Sequence, residues 1–131
     1  MPSRILREGI LTSERVDRIA GDPSVEVFYR RLQSVVDDYG LYDARPQLLR
    51  SALYPLRIDS VADSDIAGYL RECSDAGLVR LYSVEAKPYL QVLDFRQRTR
   101  AAKPRFPPPP GVRLDANPAG EYRSAEFLPV T

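Results

Sequence analysis

The sequence predicts an α+β domain, mainly helical, with a polar arm ahead of it and a proline-rich tail behind. Three observations carry this. Apolar residues recur at helical spacing in successive segments up to Cys73. After Gly77 the period drops to 2, the alternation of strands. Seven of the twelve prolines then fall in residues 104–131, a composition with little to bury. The length, 131 residues, suits one domain, and 44% hydrophobic content is enough for a core.

Residues 1–21 read as the arm. Thr12 or Ser13 can cap a short helix toward Ala20, with Gly21 stopping it. Asp22 caps the next helix and Pro23 suits its first turn. Val25, Phe28, Leu32, Val35, Val36 and Tyr39 form its apolar face, and Gly40 is expected to end it. Residues 41–46 read as a loop. Pro46 opens a short helix with Leu48, Leu49, Ala52 and Leu53 as apolar positions, and Pro55 stops it. A third helix, capped by Ser60 or Asp63, carries the stripe Ile66, Leu70 and Cys73, and Gly77 closes it. Two strand candidates follow, Val79–Val84 and Tyr89–Phe95. Glu85 to Pro88 lack the Gly or Asn of a tight turn, so the loop is expected to exceed two residues, and Pro88 to confine its strand to an edge. Residues 101–131 read as a basic and then proline-rich tail, with Pro107–Pro110 in polyproline II geometry.

Helix, short helix, helix, hairpin is the order of a winged helix-turn-helix domain, here expected over residues 22–100. The third helix would be the recognition helix and the hairpin the wing.

Composition narrows the function classes. The chain has no histidine, which removes the commonest general base and transition-metal ligand. Cys73 is the single cysteine, so no internal disulfide can form and a zinc site lacks its ligands. It sits on the apolar stripe, where an inert core thiol is expected. No nucleophile–base pair is legible, so neither catalysis nor a cofactor is expected. Asp37, Asp38 and Asp43 lack the alternation of a calcium loop. No apolar run approaches the roughly 18 residues of a membrane span. No signal peptide is read, and a cytoplasmic location is expected.

The net charge of +1 hides an asymmetry. From Asp22 to Leu78 ten acids face six arginines. From Val79 to Phe106 seven bases face two acids. Such a division concerns partners rather than fold. The basic run Arg96, Arg98, Arg100, Lys103 and Arg105 can follow a phosphate backbone, with Arg80 and Lys87 of the hairpin on the same surface. A solvated run after a hairpin is the plainer explanation. The third helix shows Ser64, Gly68, Tyr69 and Arg71 as its candidate base-reading positions. Its Asp63, Asp65, Glu72 and Asp75 oppose entry into a polyanion's groove. Tyrosines 29, 39, 42 and 54 have the spacing of core rather than of a single-strand stacking platform. The Phe106–Pro110 run fits an aromatic-lined groove, with a passive linker as the plainer reading.

Several segments within residues 7–100 resemble one family. They are Arg7–Ile19, Val27–Leu56, Asp63–Tyr82 and Lys87–Arg100. The run from Asp37 to Gly40, then Arg45-Pro46, then Tyr54-Pro55-Leu56 resembles that of small winged-helix proteins of phages and prophages that lie among replication genes. The stretch from Phe95 to Arg100 resembles the end of their wing. The sequence departs from them at Ala86, where they carry glycine, and in lacking a histidine after the wing strand. The resemblance implies a DNA-binding protein of replication, with duplex DNA as partner, and replication proteins or a second copy as further partners. The alternative is a winged-helix adaptor that contacts proteins and not DNA. An exposed apolar patch beside the acidic helix would favour the adaptor, and a continuous basic surface on the wing would favour DNA.

Overall fold

The structure is a computed structural model. It describes residues 13–37, 39–93, 96–98, 104–111 and 121–123. They form an α+β arrangement of four helices, a three-stranded antiparallel sheet and a two-stranded ribbon, compatible with a small winged-helix-like fold.

The first helix, α1, spans Glu14–Asp17, and the Ser13 side chain accepts from Val16 N. Read as part of an arm, this segment instead lends Val16 and Ile19 to the core, and Arg18 Nη1 donates to Ala76 O. Helix α2 spans Pro23–Val35, and the Asp22 carboxylate accepts from Ser24 N. It buries Val25, Phe28, Tyr29 and Leu32. It ends well before Gly40, the expected stop, because Val36 turns extended and the Asp37 carboxylate organises the following turn. One oxygen, Oδ1, accepts from both Tyr39 N and Leu41 N at 2.9 Å. Gly40 supplies a φ of 82° there. Tyr39 therefore leaves the helical face and packs with Leu41 in a separate small cluster.

The expected loop after Gly40 contains a strand, β1, at Leu41–Asp43. Helix α3 spans Pro46–Leu53 and buries Leu49 and Leu53, leaving Leu48 exposed. Arg31 Nη1 donates to Leu53 O at 2.7 Å and its guanidinium lies over the Tyr54 ring. Helix α4 spans Asp63–Asp75. Neither Ser60 nor Asp63 caps it. Ala62 holds that place, and Asp65 Oδ2 reaches back to accept from Ala62 N at 2.9 Å. At its far end Gly77 adopts φ 80°, Leu78 N donates to Cys73 O and Gly77 N to Ser74 O. This is the Schellman closure that glycine permits.

Strands β2 (Val79–Val84) and β3 (Lys87–Val92) form the hairpin, and β1 pairs with the other side of β3. The sheet order β1-β3-β2 makes β3 the central strand, so Pro88 does not sit on an edge strand. One face of the sheet closes the core. Ile66, Leu70 and Cys73 meet Phe28 and Leu32, with Val35 packed at the margin and Leu90 and Val92 supplied by β3. Leu81 remains 44% exposed. Beyond β3, β4 (Arg96–Arg98) pairs with β5 (Glu121–Arg123).

Candidate functional site: the hairpin and the second face of its sheet

The hairpin register pairs Val84 with Lys87, so Glu85 and Ala86 alone make the turn. The expectation of a longer loop is corrected. Both residues take positive φ, 52° and 65°, the geometry that matches the right-handed strand twist. Neither is a glycine or asparagine, so each holds a left-handed backbone at a cost of roughly 1–2 kcal/mol.

The tight turn leaves Lys87 exposed at the hairpin end. Asp43 lies near it, opposite Tyr89 in the register. Burial works to raise the Asp43 carboxyl, but Arg45 overrides it and holds the group below its ordinary range. The guanidinium grips both oxygens, Nε at 3.0 and 3.1 Å and Nη2 at 2.8 Å, with Lys87 adding its charge. Arg45 itself is exposed. Arg105 is exposed as well, and its guanidinium lies 5.7 Å from the centre of the Phe106 ring. That ring is 5.2 Å from Tyr42 and 6.5 Å from Tyr89. Arg45 and Lys87 thus flank Asp43 at the hairpin end of the sheet, while Arg105, whose backbone N is held by Asp37, stands over Phe106. Arg80 lies on β2, half-buried, opposite Gln91. The backbones of Arg96 and Arg98 run through β4. Arg100 and Lys103 lie outside the described residues.

The exposed surface of α4 is different. Ser64, Gly68 and Arg71 are exposed, and a methyl group added at Gly68 would meet open space. Tyr69 is half-buried, its ring 5.7 Å from Phe28, so it faces the core margin rather than standing free for base reading. Asp65, Glu72 and Asp75 are exposed, and Asp63 pairs with Arg50 at 2.9 Å. Just ahead of this helix Leu56 stands 97% exposed and Ile58 37%.

The second face of the sheet is covered by the chain's own residues 104–109, read from sequence as tail. Tyr82 and Tyr89 are cross-strand partners with rings stacked at 5.9 Å. The Tyr82 hydroxyl donates to Pro107 O at 2.6 Å. Pro109 is fully buried. The upstream end is held by Asp37, whose Oδ2 accepts from Arg105 N at 2.9 Å. Burial pushes the Asp37 carboxyl up, while backbone donors from Leu41, Tyr39, Arg105 and Phe106 pull it back without cancelling the shift.

Sequence reasoning names Asp37 and Arg45 but misses what they do, and it misses this aromatic face. The two-residue turn would have revealed the last, because it sets Tyr82 directly opposite Tyr89. The described acids do not collect around a cation: Asp37 is committed to backbone N–H groups and Asp43 to Arg45. Cys73 is buried, its thiol pushed up to about 12 by burial and then by Glu72, which makes it inert. No helix among the described residues is long and apolar enough to cross a membrane. Compared with known proteins, the chain matches no family model, no curated protein and no solved structure.

Proposed function

We propose that this chain is a winged-helix DNA-binding protein of phage or prophage replication. It contacts duplex DNA with its β2–β3 wing and the basic run behind it, and it acts in the cytoplasm without catalysis of its own. The order α2, β1, α3, α4, β2, β3, with β1 paired onto the hairpin, is the order a winged helix-turn-helix needs. One observation carries the mode of contact: the exposed cations Lys87, at the hairpin end, and Arg105, over Phe106, lie on the hairpin and the segment behind it, while α4 exposes Asp65, Glu72 and Asp75. Phosphates favour the first surface and are repelled by the second. Arg80 of the wing and Arg96, Arg98, Arg100 and Lys103, the run that the sequence places behind it, join Arg105 and Lys87 in the set assigned to DNA.

Salt-titrated binding to duplex DNA is the test. Replacing Arg96, Arg98 and Arg100 by alanine should weaken binding on all sequences alike. It should flatten the log–log salt slope by up to about 0.9 for each lost phosphate contact. Lys87→Ala should remove about one such contact, and Arg71→Ala should matter less than either. A larger effect of Arg71 would return α4 to the groove. Undetectable binding of the wild-type protein at low salt would end the DNA reading. The adaptor reading has its own supporting observation, the exposure of Leu56 and Ile58 beside the acidic helix.

A further inference from the structure

We propose that the sheet face built from Tyr82 and Tyr89, with Asp37 at its end, is a receptor for proline-rich segments of a protein partner. Such a segment carries an aromatic residue ahead of a proline run, and residues 104–110 of this chain are the resident occupant that blocks the face.

The chemistry of the contact is that of polyproline recognition. A proline has no N–H, so a proline run offers only carbonyls for polar contact and ring edges for apolar contact. The face meets both needs. Tyr82 and Tyr89 present stacked rings, and the Tyr82 hydroxyl takes the Pro107 carbonyl at 2.6 Å. Phe106 sets its ring edge-on to Tyr42 and near Tyr89. Pro109 is fully buried. The upstream end is fixed by the Asp37 carboxylate through backbone N–H groups of Arg105 and Phe106, contacts that any residue preceding the prolines can make. Residues 104–111 form no strand with the sheet, so the segment is held by side-chain recognition and single hydrogen bonds. Aromatic-lined grooves hold proline-rich ligands in this way, with little ordering cost because the ligand is preformed. Nothing in these contacts requires that the segment belong to the same chain. Tethering does favour the resident, at an effective concentration on the order of millimolar, so an external ligand must displace it. The inference stands independently of DNA binding.

The probe is a fluorescent peptide with the sequence of residues 104–111, read by anisotropy against full-length protein. In a full-length variant carrying Phe106→Ser and Pro109→Ser, the resident is weakened. That variant should bind the peptide at least about tenfold more tightly than wild type. Adding Tyr82→Phe should cost about tenfold of that gain, the worth of one hydrogen bond. Failure of the double variant to bind, with cooperative unfolding retained, would overturn the proposal. So would concentration-dependent dimers of the wild type that the double variant abolishes, since the occupant would then be a second copy. Hydrogen exchange of the wild type keeps the proposal testable should the double variant not fold. The Arg105 and Phe106 amides should exchange through an opening that leaves the core amides protected, whereas exchange only on global unfolding would make the segment an integral part of the fold and overturn it.

Discussion

Asp37 ties two distant parts of the chain together. Its two oxygens organise the turn after α2 and hold the returning chain at Arg105. Burial nevertheless raises its carboxyl above the ordinary 3.8. The folded state therefore binds this proton more tightly than the unfolded state does. The group's contribution is fully present below 3.8 and is lost as pH rises through the folded value. The stability difference between wild type and Asp37→Asn, from urea titrations at several pH values, should accordingly shift against the wild type as pH climbs from 3.8. A pH-independent difference would mean that the backbone donors fully offset burial. None of this was legible in sequence, where Asp37 is one of two adjacent acids after a helix. Its role depends on a partner 68 positions away.

Among the elements, α2, α3 and α4 were legible because their apolar faces repeat at 3.6 residues and proline or aspartate marks their starts. Strand β1 was not, since three residues are too few to show a period and the strand exists only by pairing with Gln91, Leu90 and Tyr89. The hairpin turn was misjudged for another reason. Propensity asks for Gly or Asn at Glu85 and Ala86, and pairing along the six residues of each strand overrides it. The strain should be recoverable. Ala86→Gly should raise the free energy of unfolding by about 1 kcal/mol, the relief of a left-handed alanine less the added freedom of the unfolded glycine. The midpoint of urea unfolding measures it, and a fall would show that the turn holds no such strain.

At the scale of the molecule, the proline-rich segment is the largest departure from the sequence reading. Its composition cannot build a core of its own; residues 104–109 borrow a face that Tyr82 and Tyr89 had already formed. Tyr82 and Tyr89 read as ordinary strand aromatics, so the docking becomes legible only when the hairpin and residues 104–109 are placed together. Deleting residues 107–131 should therefore lower the thermal midpoint rather than leave it unchanged. The Tyr82 hydrogen bond and the burial of Pro109 together are worth about 2 kcal/mol, or roughly 5–10 °C. The shortened chain should still melt in one cooperative step, because the core joining α2, α4 and β3 is intact without the segment. A calorimetric scan tests both statements.

Pro88 governs a boundary on a neighbouring strand. Ala44 N donates to Pro88 O at 3.1 Å, but no bond can return from a residue without an N–H. The last rung of the β1–β3 ladder is thus half a rung, and the zipper stops there. The released chain is caught at once by Asp43, whose Oδ1 accepts from Arg45 N at 2.8 Å, and Pro46 begins α3. The point where strand gives way to helix is punctuated from across the sheet, by a residue more than forty positions downstream of the sentence it ends.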